Sequence, residues 1–151
     1  MINTQVSLEE LNKMNSRTMM EHLKIEYTEI RSDCLAGKMP VNHTTHQPLG
    51  LLHGGASVVL AETLGSVAAN LCVKPSEAYC VGMEINANHL KSVKKGWVFG
   101  KATPVHLGKK TQIWDIRISS DTGELVCISR LTMAVIKRKR NLAPNNKILP
   151  A

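Results

Sequence analysis

Aromatic residues are scarce in this chain of 151 residues. They make up 3% of it and are Tyr27, Tyr79, Trp97, Phe99 and Trp114. Proteins that bind single-stranded nucleic acids usually stack the bases on aromatic side chains. With five aromatics and no recognisable DNA- or RNA-binding motif, we expect no nucleic-acid partner.

Long hydrophobic runs and paired cysteines are also missing. No apolar run reaches the ~18 residues needed for a membrane-spanning helix. Residues 1–17 lack the basic start and apolar centre of a secretory signal. The four cysteines include no Cys-x-x-Cys pair, so we expect reduced, mostly buried thiols and no cysteine metal site. These absences predict a cytoplasmic protein without a membrane partner.

The positive charge is unevenly distributed. The chain carries a formal charge of +7, but residues 1–90 hold 6 Lys+Arg and 9 Asp+Glu, while residues 91–140 hold 12 and 3. A basic half is typical of proteins that bind a polyanion, which includes small phosphorylated ligands. A solvated basic face without a partner is the alternative interpretation.

The hydrophobic periodicity predicts an α+β protein. We expect an amphipathic helix over 7–22, opened by a capping box of Ser7 and Glu10. The longest apolar segment, 54–73, predicts a central helix, in which Gly65 is tolerable where a neighbouring backbone comes close. Strands are predicted over 24–30, 33–41, 79–90, 97–107, 110–120 and 124–137. This order favours one domain, 1–140, with an antiparallel sheet against one buried helix, followed by a mobile basic tail, 141–151.

The central helix carries the residue with the strongest chemical signal. Between Lys38 and Lys74, Glu62 alone bears a formal charge, and it sits among apolar neighbours. A buried carboxylate is costly unless it is paired, so Glu62 either lies on an exposed stripe of the helix or has a chemical role. Ser66 follows at i+4 on the same face.

The start of this helix suggests acyl transfer to water. Gln47 and His53 lie in the loop that enters the helix, and Gly54 and Gly55 open it. A helix N-terminus presents unpaired N–H groups that could stabilise an oxyanion, and glycine lets an acyl carbonyl approach closely. Glu62, two turns further along, could then attack or activate water.

Other catalytic arrangements are less well supported. His43, His46 and His53 have loop spacing that is weak for a metal site, so we expect no metal. A Ser-His-Asp triad lacks its Gly-x-Ser-x-Gly elbow. No phosphate-binding glycine loop is present.

Three segments resemble the hotdog-fold acyl-CoA thioesterases. They are QPLGLLHGGASVVLAE at 47–62, GMEINANH at 82–89 and HLGK at 106–109. The similarity is strongest to the 4-hydroxybenzoyl-CoA and 1,4-dihydroxy-2-naphthoyl-CoA thioesterases, near the phenylacetate-pathway enzymes. It implies a hotdog fold, which is a curved antiparallel sheet wrapped around the central helix. It also implies a dimer, commonly doubled into a homotetramer, with active sites at the subunit interface.

The resemblance also implies roles for individual residues. Glu62 matches the catalytic carboxylate, which acts as nucleophile or as general base, and the Gly54 N–H matches the group that polarises the thioester carbonyl. Gln47, His53 and Ser66 match polar residues around the carbonyl, the attacking water and the carboxylate. Contacts to substrate or CoA are expected from His89, Gly55, Gly82, Met83, Lys91, His106 and Lys109.

The chain departs from these relatives in its basic residues. Leu90-Lys91-Ser92 stands where they tend to have His-Arg-Pro, and Lys109 stands where they have arginine. Lysine keeps the charge but loses bidentate phosphate recognition.

We therefore expect an acyl-CoA thioesterase that cleaves an aryl or similar acyl-CoA to the free acid and CoA, without a cofactor. A non-catalytic acyl-CoA binding module on the same fold is the alternative. Dehydration of hydroxyacyl thioesters and nucleic-acid binding are less favoured.

Overall fold

A computed structural model describes residues 1–138. The helices are α1 (Leu8–Met14), α2 (Met19–His22) and α3 (Gly54–Asn70). The strands are β1 (Glu26–Arg31), β2 (Cys34–Val41), β3 (Ala78–His89), β4 (Gly96–Leu107), β5 (Thr111–Ser120) and β6 (Leu125–Lys137). The predicted tail, 141–151, and the last two residues of the predicted domain lie outside the described residues.

The strands form one antiparallel sheet in the order β1-β2-β4-β5-β6-β3. Helix α3 packs against one face of this sheet and contacts β2 to β6. β3 comes directly after α3 but lies at an edge, because β6 takes the place beside β5. The predicted α+β hotdog architecture is confirmed, and its central helix and edge strand position the site described below.

Two paired glycines make room for α3 on the sheet. Gly37 in β2 pairs with Gly100 in β4, and both face the fully buried Leu64 of α3. A Cβ on Gly37 would lie 2.9 Å from one Leu64 methyl, and a Cβ on Gly100 would lie 2.5 Å from the other. Side chains here would therefore push the helix off the sheet.

The predicted helix over 7–22 is wrong in its extent, because the segment is broken into α1 and α2. The capping box is confirmed, since Ser7 Oγ accepts from the Glu10 N–H and the Glu10 carboxylate accepts from the Ser7 N–H. The buried Asn15 ends α1 by donating its side-chain amide to the Ile25 carbonyl at 2.8 Å. Arg17 then adopts a positive φ of 59°, which a continuous helix cannot contain.

The end and the interior of α3 also differ from expectation. The helix ends at Asn70 rather than at residue 73. The Asn70 side chain accepts from the Cys80 N–H at 2.8 Å and donates to the Cys80 carbonyl at 3.1 Å, which ties the helix end to β3. Gly65 accommodates a side chain and not a neighbouring backbone, because a Cβ there would lie 2.5 Å from a Leu131 methyl.

The cysteines have the predicted state. All four are free, and Cys34, Cys80 and Cys127 are buried. Burial raises the pKa of Cys80 to about 11, which makes this thiol a poor nucleophile. Within the described residues, no helix is long and apolar enough to cross a membrane.

Candidate active site

The first turn of α3 leaves a single backbone donor free. His53 caps the helix, and its Nδ1 accepts from the Gly55 N–H at 2.8 Å. The His53 carbonyl accepts from the N–H groups of Ala56 and Ser57. Gly54 is the first residue of the helix, and its N–H has no hydrogen-bond partner within residues 1–138. This N–H is therefore available to a ligand, at the positive end of the helix dipole.

His89 lies directly against Gly54. A Cβ on Gly54 would be 2.7 Å from Nε2 of His89, at the end of β3. Only glycine leaves both the imidazole and the free N–H in place. The two residues come from separate segments, 47–62 and 82–89, and the fold brings them into contact.

Gln47 presents its amide nitrogen to the same region. A tight turn, in which the Gly50 N–H donates to the Gln47 carbonyl, holds the residue in place. Its side-chain Oε1 accepts from the Leu49 N–H. Since the oxygen is occupied, the NH₂ group is the part of the side chain that can donate to a ligand.

These groups line one cavity of about 300 Å³. Its walls combine polar groups with the apolar side chains of Leu51, Leu52, Leu90 and Val126. The polar residues that line it are Gln47, Gly54, Ser57, His89, Lys91 and Ser92. We call this space the donor cavity.

Lys91 stands at the donor cavity but is already paired. Its ammonium group contacts the Glu124 carboxylate, and this contact lowers the pKa of Glu124. Both side chains are about half exposed. A phosphate group of a ligand would thus have to compete with Glu124 for Lys91.

Glu62 lies in a different cavity of the same chain. This space of about 250 Å³ is lined by Met19, Met20, Val59, Glu62, Thr63, Ser66 and Val67, and we call it the carboxylate cavity. Glu62 is exposed, which agrees with the first alternative from the sequence, that it lies on an exposed stripe of the helix. It has no ion-pair or hydrogen-bond partner among the described residues. Gly82 of β3 allows this placement, since a Cβ there would be 2.8 Å from Oε1 of Glu62.

One chain does not bring Glu62 to Gly54. The two residues are eight positions apart on α3, which is about 12 Å along the helix axis. Expecting Glu62 to act at the N-terminus of its own helix is therefore wrong. A carboxylate can attack a carbonyl held by a Gly54 N–H only if it comes from elsewhere.

The remaining predicted residues are spread over the chain. Ser66 lines the carboxylate cavity, where its hydroxyl contacts the Met133 sulfur at 3.7 Å. Met83 is 65% exposed on β3 beside Gly82. Gly55 opens α3, and its N–H is used by His53.

His106 lies near the end of β4 and Lys109 in the β4–β5 turn, and neither residue lines either cavity. The register places this turn at the end of the sheet where β3 starts, whereas Lys91 follows the end of β3. The 12 residues of β3 span about 36 Å. The two lysines of one chain cannot contact the same phosphate group.

Two of the three loop histidines have structural roles, since His53 caps α3. His46 forms a hydrogen bond through Nε2 with the Lys94 carbonyl at 2.9 Å. Across residues 1–138, no group of three or more His, Cys, Asp or Glu side chains is arranged to hold a metal ion.

Comparison with known families identifies the superfamily. The sequence pattern of the thioesterase superfamily matches residues 49–127, which include Gly54, Glu62 and His89. The chain belongs to the thioesterase superfamily. It is an enzyme of the thioester hydrolase class.

Curated relatives of this thioesterase match it along most of its length. It is 49% identical to the 1,4-dihydroxy-2-naphthoyl-CoA hydrolase of Escherichia coli over 87% of its own length and 96% of the relative's. It is 48% identical to the proofreading thioesterase EntH of Cronobacter turicensis, over 87% and 95% of the two chains. A crystal structure of a mutant thioesterase from Pseudomonas aeruginosa superimposes with a TM-score of 0.89 at 48% identity, covering 91% and 99% of the chains.

Sequence reasoning missed Ser57, which lines the donor cavity of this thioesterase, and Glu124, which pairs with the cavity residue Lys91. Ser57 lies three positions after Gly54, and that helical spacing is the signal that could have identified it. Glu124 reaches Lys91 across a separation of 33 residues. No local pattern could have indicated that pair.

Proposed function

We propose that this thioesterase hydrolyses an aryl or similar acyl-CoA to the free acid and CoA. The observation that carries the proposal is the free Gly54 N–H in a cavity with further polar donors and apolar walls. A thioester carbonyl placed there accepts from Gly54, and the acyl group packs on the leucine side chains. The relative named for a naphthoyl-CoA substrate supports an aryl acyl group.

We further propose that a second copy of the chain supplies the carboxylate. β3 is a 12-residue edge strand, and Val81 and Met83 on it are 42% and 65% exposed. Such an edge is a template for pairing with another strand. A two-fold axis that pairs two β3 edges makes the two α3 helices antiparallel. Val58 is midway between Gly54 and Glu62 on α3, and we place it near the axis. Each Gly54 then lies level with the partner subunit's Glu62.

Glu62 then acts on the carbonyl in one of two ways. As a general base it takes a proton from water, and the water oxygen adds to the carbonyl carbon. As a nucleophile its own oxygen adds first, and water cleaves the resulting anhydride. In both routes the oxyanion rests on the Gly54 N–H, the C–S bond breaks, and the sulfur leaves as CoA and takes a proton. The absence of an ion-pair partner among the described residues leaves Glu62 free for either role.

The same proposal extends to the oligomeric state, the cellular location and the cofactor requirement. Two such dimers would form the homotetramer that the family resemblance implies. A CoA ester as substrate and reduced cysteines are consistent with an enzyme of the cytoplasm. No cofactor is needed, because CoA enters as part of the substrate.

A substrate-panel assay tests the proposal. Free-thiol release is followed for aryl-, phenylacetyl- and medium-chain acyl-CoA esters with the wild type and with Glu62→Gln, which keeps the shape and removes the charge. We expect turnover of at least one aryl ester by the wild type and loss of at least about a hundredfold in kcat for the variant. Near-normal turnover by Glu62→Gln, or no hydrolysis of any ester by the wild type, would overturn it.

A further inference from the structure

Ser57 differs from every other buried polar side chain in the described part of the chain. The buried polar residues are Asn15, Thr45, Ser57, Gln112, Ser120 and Ser129. Five of them have a hydrogen-bond partner for the side chain. Ser57 is 1% exposed, yet its hydroxyl has no partner within residues 1–138. A hydroxyl that borders a cavity and bonds to no protein group is placed to bind a ligand.

The environment of Ser57 explains why the hydroxyl is free and where it points. A serine in a helix commonly donates to the carbonyl four residues earlier. That carbonyl belongs to His53 and already accepts from the N–H groups of Ala56 and Ser57. Among the described residues, no side-chain oxygen that is fully shielded from solvent lacks a partner. The Ser57 oxygen must therefore open onto the donor cavity, which the residue lines.

The helix geometry directs this hydroxyl towards Gly54. Residues three apart lie on the same face of a helix. The Cα–Cβ bonds of a helix tilt towards its N-terminus, so a side chain covers the turn before its own Cα. The Cα–Cβ bond of Ser57 accordingly tilts towards the turn that holds Gly54, and both residues border one cavity.

We propose that Ser57 is a further catalytic residue, whose hydroxyl donates a second hydrogen bond to the carbonyl oxygen held by the Gly54 N–H. This inference rests on the proposed function. A carbonyl oxygen has two lone pairs, so it accepts from both donors. Charge grows on this oxygen as the tetrahedral intermediate forms, and the hydroxyl therefore stabilises the transition state more than the bound ester.

Kinetics of Ser57→Ala test the assignment. Removing one oxyanion donor reduces kcat by about 10²-fold, and we expect this loss together with a smaller rise in KM of about five- to tenfold, because the bound ester loses the same hydrogen bond as a bound ketone. The melting temperature should be unchanged or raised, because the variant loses no hydrogen bond in the free protein. The matched control is Ser129→Ala, which removes an equally buried serine whose hydroxyl has a partner in Cys127. It should lower the melting temperature and leave kcat unchanged.

Binding of two unreactive analogues separates this role from packing and from the proposed function. One is a CoA ketone that keeps the aryl group and the carbonyl, and the other is a CoA thioether that has no carbonyl. Ser57→Ala should weaken ketone binding about five- to tenfold and leave thioether binding unchanged. A kcat within twofold of wild type, or equal weakening of both analogues, would overturn the assignment. If the wild type hydrolyses no ester, the proposed function fails, and the ketone and thioether still decide whether Ser57 contacts a carbonyl.

Discussion

His89 occupies the space that a side chain on Gly54 would need: a Cβ at 54 would lie 2.7 Å from Nε2 and 3.1 Å from two ring carbons. His89 is exposed and at the end of a strand, so the ring can swing away. Gly54→Ala should therefore leave the free energy of unfolding within about 1 kcal/mol of wild type. It should reduce kcat/KM at least about tenfold, because the displaced ring no longer borders the carbonyl site.

A double-mutant cycle measures this relationship. In a His89→Ala background, Gly54→Ala has no ring to displace, so the two substitutions should be strongly non-additive in kcat/KM. Equal losses from Gly54→Ala in both backgrounds would show that the new methyl group acts on the substrate directly.

The shared site predicts complementation between two inactive variants. Gln47→Ala removes a donor from one half of the site, and Glu62→Gln removes the carboxylate from the other. When the two are unfolded together and refolded as an equal mixture, half of the dimers are mixed, and each mixed dimer has one intact site. The mixture should recover about a quarter of wild-type activity. Each variant refolded alone is the control, and a mixture no more active than their average would mean that both groups act within one chain.

The Lys91–Glu124 pair predicts a change in KM without a change in kcat. Glu124→Gln releases Lys91 for a phosphate group of CoA, and a half-exposed ion pair is weak enough for a phosphate group to compete with it. We expect KM for the CoA ester to fall about two- to fivefold at low salt, with a smaller effect at high salt. Lys91→Ala should raise KM.

A surface pair at the α3–β3 connection supplies the control for that prediction. Glu77 contacts Lys74 at 3.2 Å, more exposed than the first pair. Glu77→Gln removes the same charge without touching the donor cavity, so KM should stay at the wild-type value. A fall in KM equal to that of Glu124→Gln would assign the effect to net charge and not to Lys91.

Some of this architecture is predictable from the sequence. The capping box at Ser7 and Glu10 is a local pattern with a local cause, and the structure confirms it. The break between α1 and α2 has a distant cause, because Asn15 bonds to the Ile25 carbonyl ten positions later. The hydrophobic periodicity of a helix gives no indication of that contact.

Only part of the candidate site is predictable from the sequence, for a similar reason. Periodicity assigns Glu62 to a face of α3, but the position of β3 at the sheet edge decides what that face meets. That the Ser57 hydroxyl lacks a partner becomes apparent only once the hydrogen bonds to the His53 carbonyl are known.

The side chain of Asn70 ties the edge strand β3 to the end of α3, so its removal should loosen that strand. Its side chain bonds to both backbone groups of Cys80 and donates to the Ser66 carbonyl at 2.9 Å. Asn70→Ala leaves the Cys80 N–H without its acceptor, and we expect a loss of about 1–3 kcal/mol in the free energy of unfolding, measured by urea denaturation. Amide exchange at Cys80 should accelerate by a larger factor than exchange at Ile116, in the middle of β5. Uniform acceleration at both amides would mean that Asn70 stabilises the whole fold and not the strand that borders Glu62.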